Sequence, residues 1–466
     1  MIRFLLATAL AVGLANEAIP AVFTVGPGGS HADLPSAWQA LAASGSGSHE
    51  LRLAAGTFGL TQPLSLLVSD GSTVEISGSW DATFQARTGD RSLTQIRGAG
   101  THRLLEMSAT GGQLTLADLS LTAGSANGGG LATVDVSGSA QFRILNLGFS
   151  SGESVGIGGC LLIFAAGSSS VLLSDVSFTQ CRVNRNEAFG RERGSALILG
   201  AQHAASVRIE GLVAHDNLIE VTDTANVVSG TAIELTADDT VKLSIEDFDI
   251  SDNRAVQAGV STPNPTAGLL VSAPWLNLTG APEVNIRRGR LSGNVCEACL
   301  NSRQFLIGYT SGARIRVSDT LIADGQSALN VLSDFTATGV AEFVNLTVTR
   351  HSVRGISIQA NPITVPPPVL ARLSNSVLYD NTQELSSNGI IEYSYNLIGT
   401  NPQFVNPTAG DFRPGDLSPL INAGSDSSAQ LGPRDLDGMP RLDGPAVDIG
   451  AYEWRAGAPL YGSGFE

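Results

Sequence analysis

The sequence predicts an all-β chain wound as a right-handed parallel β-helix of three strands per coil. An N-terminal helical cap and an irregular C-terminal capping module are expected at its ends. Three observations carry the prediction. First, one phrase recurs: apolar, any, apolar, two polar or small residues, apolar, any, apolar. It runs at Leu114, Leu116, Leu119 and Leu121, at Phe142, Ile144, Leu147 and Phe149, and on through Leu243, Ile245, Phe248 and Ile250 to Ala371, Leu373, Ser376 and Leu378. Each phrase is two short strands of period-two alternation separated by a phase jump. Second, the residue at the jump is Asp118, Asn146, Asp175, Gly211, Asp247, Arg288, Asp319, Asn345 or Asn375. All but Arg288 tolerate the left-handed region or bond locally to the backbone, so a bend belongs there. Third, an Asx/Gly turn follows, as at His215-Asp216-Asn217 and Ser251-Asp252-Asn253, and then a third apolar strand often led by glycine, at 194–199, 230–235 and 355–358.

Coils recur roughly every 30 residues, and a lone coil cannot bury its apolar edge, so coils must stack. Stacked strands lie about 4.8 Å apart with like residues over like. Each fully buried Leu, Ile, Val or Phe then contributes about 1.5–3 kcal/mol. Right-handedness follows from the general crossover preference. A β-sandwich of hairpins would need tight two-residue turns, and these are largely missing.

The chain has 466 residues, and a solenoid of that length grows without splitting into domains. Its 53 glycines suit narrow corners. A net charge of −16 with no basic tract argues against nucleic-acid partners. Residues 1–21 read as a secretory signal: Arg3 gives the positive start and residues 4–15 an apolar run too short to span a bilayer. No later stretch reads as a membrane helix, and the mature chain is expected to be exported and monomeric.

Taken in order, residues 22–394 form the β-helix. Phe23–Gly26 is a strand, and a short helix follows, capped by Ser36 or by Asp33 ahead of Pro35. Residues 51–58 make the first coil. Residues 78–84, Gly-Ser-Trp-Asp-Ala-Thr-Phe, read as a corner loop packed by Trp80 and Phe84, with sugar stacking on Trp80 as the functional option. This opening resembles the start of pectin-lyase-like β-helix proteins, where a helix plugs the open end of the coil. Loops are expected at 182–193 and 255–267. From Asn396 the phrase stops. Residues 395–454 run through Asn401-Pro402-Gln403-Phe404, Ser418-Pro419-Leu420-Ile421-Asn422-Ala423-Gly424, Asp435-Leu436-Asp437-Gly438 and Val447-Asp448-Ile449-Gly450-Ala451-Tyr452-Glu453. That order of motifs resembles the C-terminal module of choice-of-anchor Q proteins, secreted bacterial β-helix proteins. The resemblance implies a secreted or surface, adhesin-like protein and no particular catalytic activity. Residues 455–466 form a short tail without an LPxTG-like signal.

Four cysteines in an exported chain suggest disulfides. Cys160 and Cys181 lie near one corner of neighbouring coils, where a bridge contributes about 3 kcal/mol. Cys296 and Cys299 form a C-x-x-C pair that fits a local bridge, a redox pair or half of a zinc site. In-register stacking sets Glu246, Asp247 and Asp249 beside Arg287, Arg288 and Arg290, a ladder of cross-strand pairs. The functional alternative is a catalytic cleft of Glu210, Glu246, Asp247 and Asp249, with His215 nearby. A glycosidase needs two carboxylates at defined separation. On the third strand the outward residues are expected to include Ile198, Glu234, Asn330 and Ser357, with one acid and no cluster. No cofactor is expected. The acids Asp435, Asp437 and Asp448 could hold Ca²⁺, or pair within a cap with Arg434 and Arg441. The sequence therefore points to a secreted or cell-surface protein that binds extracellular polysaccharide or cell-surface components. A polysaccharide lyase or glycoside hydrolase acting on acidic glycans is the alternative.

Overall fold

The computed structural model describes residues 21–69, 71–185, 194–221, 232–257, 266–273, 280–297, 299, 301–309, 312–334, 340–361, 369–427 and 432–456. The signal segment, nearly all of the tail, and most of the loops 182–193 and 255–267 lie outside the described residues.

The recurring phrase becomes a bent strand that stacks in parallel on its own next copy. Gln141–Ser150 lies on Gln113–Thr122, with Leu114 opposite Phe142, Leu116 opposite Ile144, and Leu119 opposite Leu147. The same register carries Ser206–His215 onto Lys242–Ser251, Glu283–Ser292 and Arg314–Asp334. The residues before the bend make a first face and those after it a second. A third face is built from strands such as Leu105–Ala109, Ala132–Val136, Leu161–Ala165 and Leu197–Ala201. These faces enclose one continuous core in which Leu116, Ile144 and Leu173 are buried, and the chain is a right-handed parallel β-helix.

All nine residues at the phase jump are left-handed, with φ between 48° and 64°. Eight are Asp, Asn or Gly. Arg288 is the exception in type but not in conformation, at φ 48°. Its Nε donates to Asp247 Oδ1 at 2.8 Å and its Nη2 to Asp247 Oδ2 at 2.9 Å, with Glu246 as a further partner. Charge-assisted bonds offset the roughly 1–2 kcal/mol that a Cβ costs there.

The inward columns match in size. Phe248 and Gly289 are register partners, and a Cβ on Gly289 would fall 1.9 Å from the Phe248 ring. The glycine leaves room for the aromatic side chain of the preceding lap.

One feature exceeds the expected three strands per lap. Six short strands, Ser125–Gly128, Glu153–Ile157, Arg182–Arg185, Leu218–Val221, Arg254–Gln257 and Val295–Glu297, pair as a separate small sheet at the corner. Residues 182–185 and 255–257, expected as parts of loops, belong to two of these strands. Each contributes little apolar surface, which hid them from periodicity, but Val183, Ile219, Ala255 and Cys296 stack into a satellite core.

Between the second face and this sheet a chain of buried side-chain amides runs from lap to lap. Asn217 Nδ2 donates to Asn253 Oδ1 at 2.8 Å, and Asn253 Nδ2 to Asn294 Oδ1 at 2.8 Å. In the next lap the position is Gly325, and Gln304 from the third face fills it, accepting from Asn294 at 3.1 Å. His351 is the register partner of Gly325 and takes the following rung. Its Nε2 lies 3.0 Å from Gln304 Nε2, and its Nδ1 lies 2.8 Å from Asn381 Oδ1. That arrangement assigns the neutral tautomer with the proton on Nδ1. Burial pulls His351 down to about 4, and protonating Nε2 would set it against a donor.

The N-terminal helix, Leu34–Ala42, is capped by Asp33, which accepts from Ser36 N; Ser36 is inside the helix. Its buried residues Leu34, Ala37, Trp38 and Leu41 close the first coil, and Trp38 Nε1 donates to Ser65 O at 2.8 Å. At the other end strand pairing continues to Ile398. The chain then crosses the second face, where Phe412, Ala451 and Tyr452 cover Leu321 and Ala323, and Leu420 and Ile449 cover Val377. No helix among the described residues is long and apolar enough to cross a membrane.

Candidate functional site

A groove of about 460 Å³ lies on the first face. Strand alternation puts every second side chain outward, so four laps contribute two parallel columns. One is Arg208, Ser244, Asn285 and Arg316, and the other is Glu210, Glu246, Arg287 and Ser318. With about 4.8 Å per lap the columns extend over roughly 14 Å along the axis. Gly432, from the C-terminal stretch, lines the groove at its far end beside Asp319.

Charge on this floor is mixed but leans positive. Arg208 pairs with Glu210. Glu246 is clasped by Arg287 and Arg288, as the in-register ladder requires. Arg316 faces Glu342 at 3.5 Å. Above the columns run Lys242, Glu283 and Arg314 in register.

The bend divides the four acids that the sequence grouped as a catalytic alternative. Glu210 and Glu246 are register neighbours on the first face, and Glu246 lines the groove. Asp247 is the bend residue, bound to Arg288. Asp249 lies past the bend on the second face, in register with Arg290. Burial raises the pKa of Asp249, against the lowering effects of Ser251 and Arg290, and its Oδ1 is buried without a hydrogen-bond partner. It does not share the groove with the two glutamates.

The third-face residues Ile198, Glu234, Asn330 and Ser357 share one sheet face, as alternation predicts, but all are buried rather than open to solvent. The guanidiniums of Arg52 and Arg87 lie over the Trp80 ring, at 4.3 and 5.7 Å from its centroid, and compete with a sugar for stacking on it.

The C-terminal acids are engaged locally. Asp435 accepts from the backbone N–H groups of Met439 at 2.8 Å and Glu453 at 2.9 Å. Asp448 accepts from Asn422 N at 2.6 Å and Trp454 N at 2.5 Å. Asp437 stands apart, with Arg413 at 4.0 Å, and burial raises it to about 6. The buried Arg441 lies 3.4 Å from Asp319 and 3.6 Å from Glu453. Burial pushes Glu453 up to about 8, with Arg441 opposing. Among the described residues no group of His, Cys, Asp and Glu side chains is arranged to hold a metal ion.

Both cysteine pairs are bonded, Cys160 to Cys181 and Cys296 to Cys299. The second pair is buried in the satellite core, where it closes the corner strand locally.

Sequence reasoning found Glu210, Glu246 and Arg287 but not Arg208, Ser244, Asn285, Arg316 or Gly432. The first four form the column two residues before that ladder on the same strands, and strand alternation would have found them as the preceding outward position. Gly432 has no such signal.

No family model matches the chain, and no curated protein matches it. Among solved structures it is similar to pectate lyase Pel9A at 14% identity and a TM-score of 0.46, over 93% of this chain and 96% of that one. It is also similar to the A-module of mannuronan C-5 epimerase AlgE6 of Azotobacter vinelandii at 13% identity and a TM-score of 0.32, over 79% of this chain and 94% of that one. These are likenesses of fold.

Proposed function

We propose that this chain is an extracellular β-helix protein that binds an acidic polysaccharide along the first-face groove without cleaving it. The observation that carries the reading is the spacing of Arg208, Arg287 and Arg316 over four laps, with Ser244, Asn285 and Ser318 between them. Guanidiniums recognise carboxylates in bidentate fashion, and hydroxyl and amide groups suit sugar hydroxyls. Glu246, the acid best placed to act on a bound polymer, is neutralised by two arginines. Two disulfides support an oxidising, extracellular setting, and the choice-of-anchor Q resemblance supports attachment at a cell surface.

The test is retention on polygalacturonate and alginate against a neutral glucan. Binding to an acidic polymer, weakened about tenfold in Arg316→Ala, is the expected result. Equal affinity for neutral and acidic polymers would end the proposal. The second reading, a lyase or hydrolase, rests on Asp249, whose buried Oδ1 has no hydrogen-bond partner. Release of unsaturated or reducing ends, abolished in Asp249→Asn or Glu246→Gln, would replace binding with turnover.

A further inference from the structure

Away from the groove, the third face carries two cations that lack counter-charges among the described residues. Register sets Arg303, Ser327 and Arg354 on successive laps of one column, so the arginines are two strand spacings apart, roughly 10 Å at the backbone. Neither guanidinium makes an ion pair or hydrogen bond among the described residues. The groove arginines differ: each has a carboxylate beside it. Burial, and after it the like charge of Arg354, pulls Arg303 down to about 10. Partly buried like charges without an anion between them are costly.

Next to Arg354 is a cavity of about 280 Å³, lined also by Gln359, Gln383, Ser386, Ser387 and Asn388. Its size is near the lower limit for ligand cavities, enough for one sugar-sized unit. Ser386 Oγ is buried without a partner. The adjacent acid, Glu384, is turned to Asn381, accepting from its backbone N–H and its side-chain amide. What remains is a positive edge on a pocket of amides and hydroxyls.

We propose that Arg303, Arg354 and this cavity form a second binding site, for a single anionic sugar. The oxyanion lies against Arg354, within the positive field of Arg303, and the sugar hydroxyls lie against Gln359, Gln383 and Ser386. The site is independent of the first-face groove and stands or falls without it.

Calorimetry and thermal unfolding with galacturonate, glucose 6-phosphate, glucose and inorganic phosphate test the site on the full chain. Both sugar anions should bind and raise Tm, glucose should not, and inorganic phosphate should bind more weakly than either. The tighter of the two sugar anions identifies carboxylate or phosphate as the natural group. Arg354→Gln should lose about tenfold or more in affinity. Arg303→Gln adds a readout that a purely structural arginine would reverse: it should raise Tm without ligand, by removing an uncompensated charge, and reduce the ligand-induced rise. A lower Tm for Arg303→Gln without ligand, no response to either sugar anion, or phosphate binding as tightly as the sugars would overturn the proposal.

Discussion

The second face is bordered by two left-handed bends, such as Asp247 and Asp252, and these hold the coil together by different means. At the first bend the left-handed residue itself carries the interaction, as Asp118 does with Arg87 and Asn146, and Asp247 with Arg288. At the second, the left-handed residue faces outward, as Asp216 and Asp252 do, and its successor turns inward. Asn217, Asn253 and Asn294 are almost wholly buried. Water remains an alternative partner at the first bend of the lap that holds Asn253, where the Asp247 side chain is 46% exposed. At the second there is none, so every amide must find its partner in a neighbouring lap. The lesson is that equal backbone geometry does not mean equal sensitivity.

The largest effect is expected from breaking the buried chain at its middle. Asn253 Oδ1 accepts from the backbone N–H and the side-chain amide of Asn217, and its Nδ2 donates to Asn294 and to Ala214 O. Asn253→Ala orphans these groups at once, at about 3–5 kcal/mol. Chemical denaturation would measure it, and a loss under about 1 kcal/mol would mean that the chain relaxes around the gap.

The next effect depends on pH. His351 is held neutral, with a folded value near 4 against 6.5 unfolded. The unfolded chain therefore binds more protons between those values, and stability contributed by this residue is full above about 6.5 and is lost as pH falls toward 4. Glu453 works the other way over part of the window, because its raised value favours the folded state as pH falls from about 8. The clean measurement is the difference between the parent and His351→Asn across that range. The parent should lose Tm faster on acidification, and parallel curves would show that His351 is not the proton acceptor.

How much of this was legible follows from the same contrast. The first bends could be read residue by residue, because Asp, Asn and Gly declare left-handed backbone in the sequence itself. The buried chain was half legible: Asn217, Asn253 and Asn294 recur in phase, but Gln304 comes from another face and His351 replaces an amide with a ring. Gly289 was visible as a gap in the apolar phrase, while its reason, the ring of Phe248, needed the stacking. Arg287 could be placed beside Glu246 by counting. The wall at Gly432, the burial of Glu234 and the separation of Asp249 from Glu246 depend on tertiary cover, which local pattern does not encode.

A milder effect is expected at the first bend of the lap that contains Asn253. Asp247→Ala keeps a Cβ in the left-handed region without a local hydrogen bond and removes one partner of Arg288, which retains Glu246. A loss of about 1–2 kcal/mol is expected. If it equalled the loss in Asn253→Ala, the two bends would not differ in kind.

The smallest net change, and the sharpest test, is at Arg288. Its side chain is only 9% exposed and its φ is 48°, so strain and ion pairing oppose each other in one residue. Arg288→Gly removes both, and stability should stay within about 1 kcal/mol of the parent. Arg288→Ala removes the ion pairs and keeps the strain, and should be the less stable of the two by about 1 kcal/mol. Comparing denaturation midpoints of the two variants isolates the backbone contribution, since both lack the guanidinium. If alanine matched glycine, the left-handed bend would cost nothing here, and the clasp of Asp247 and Glu246 would have to be explained by the groove it borders rather than by the bend it holds.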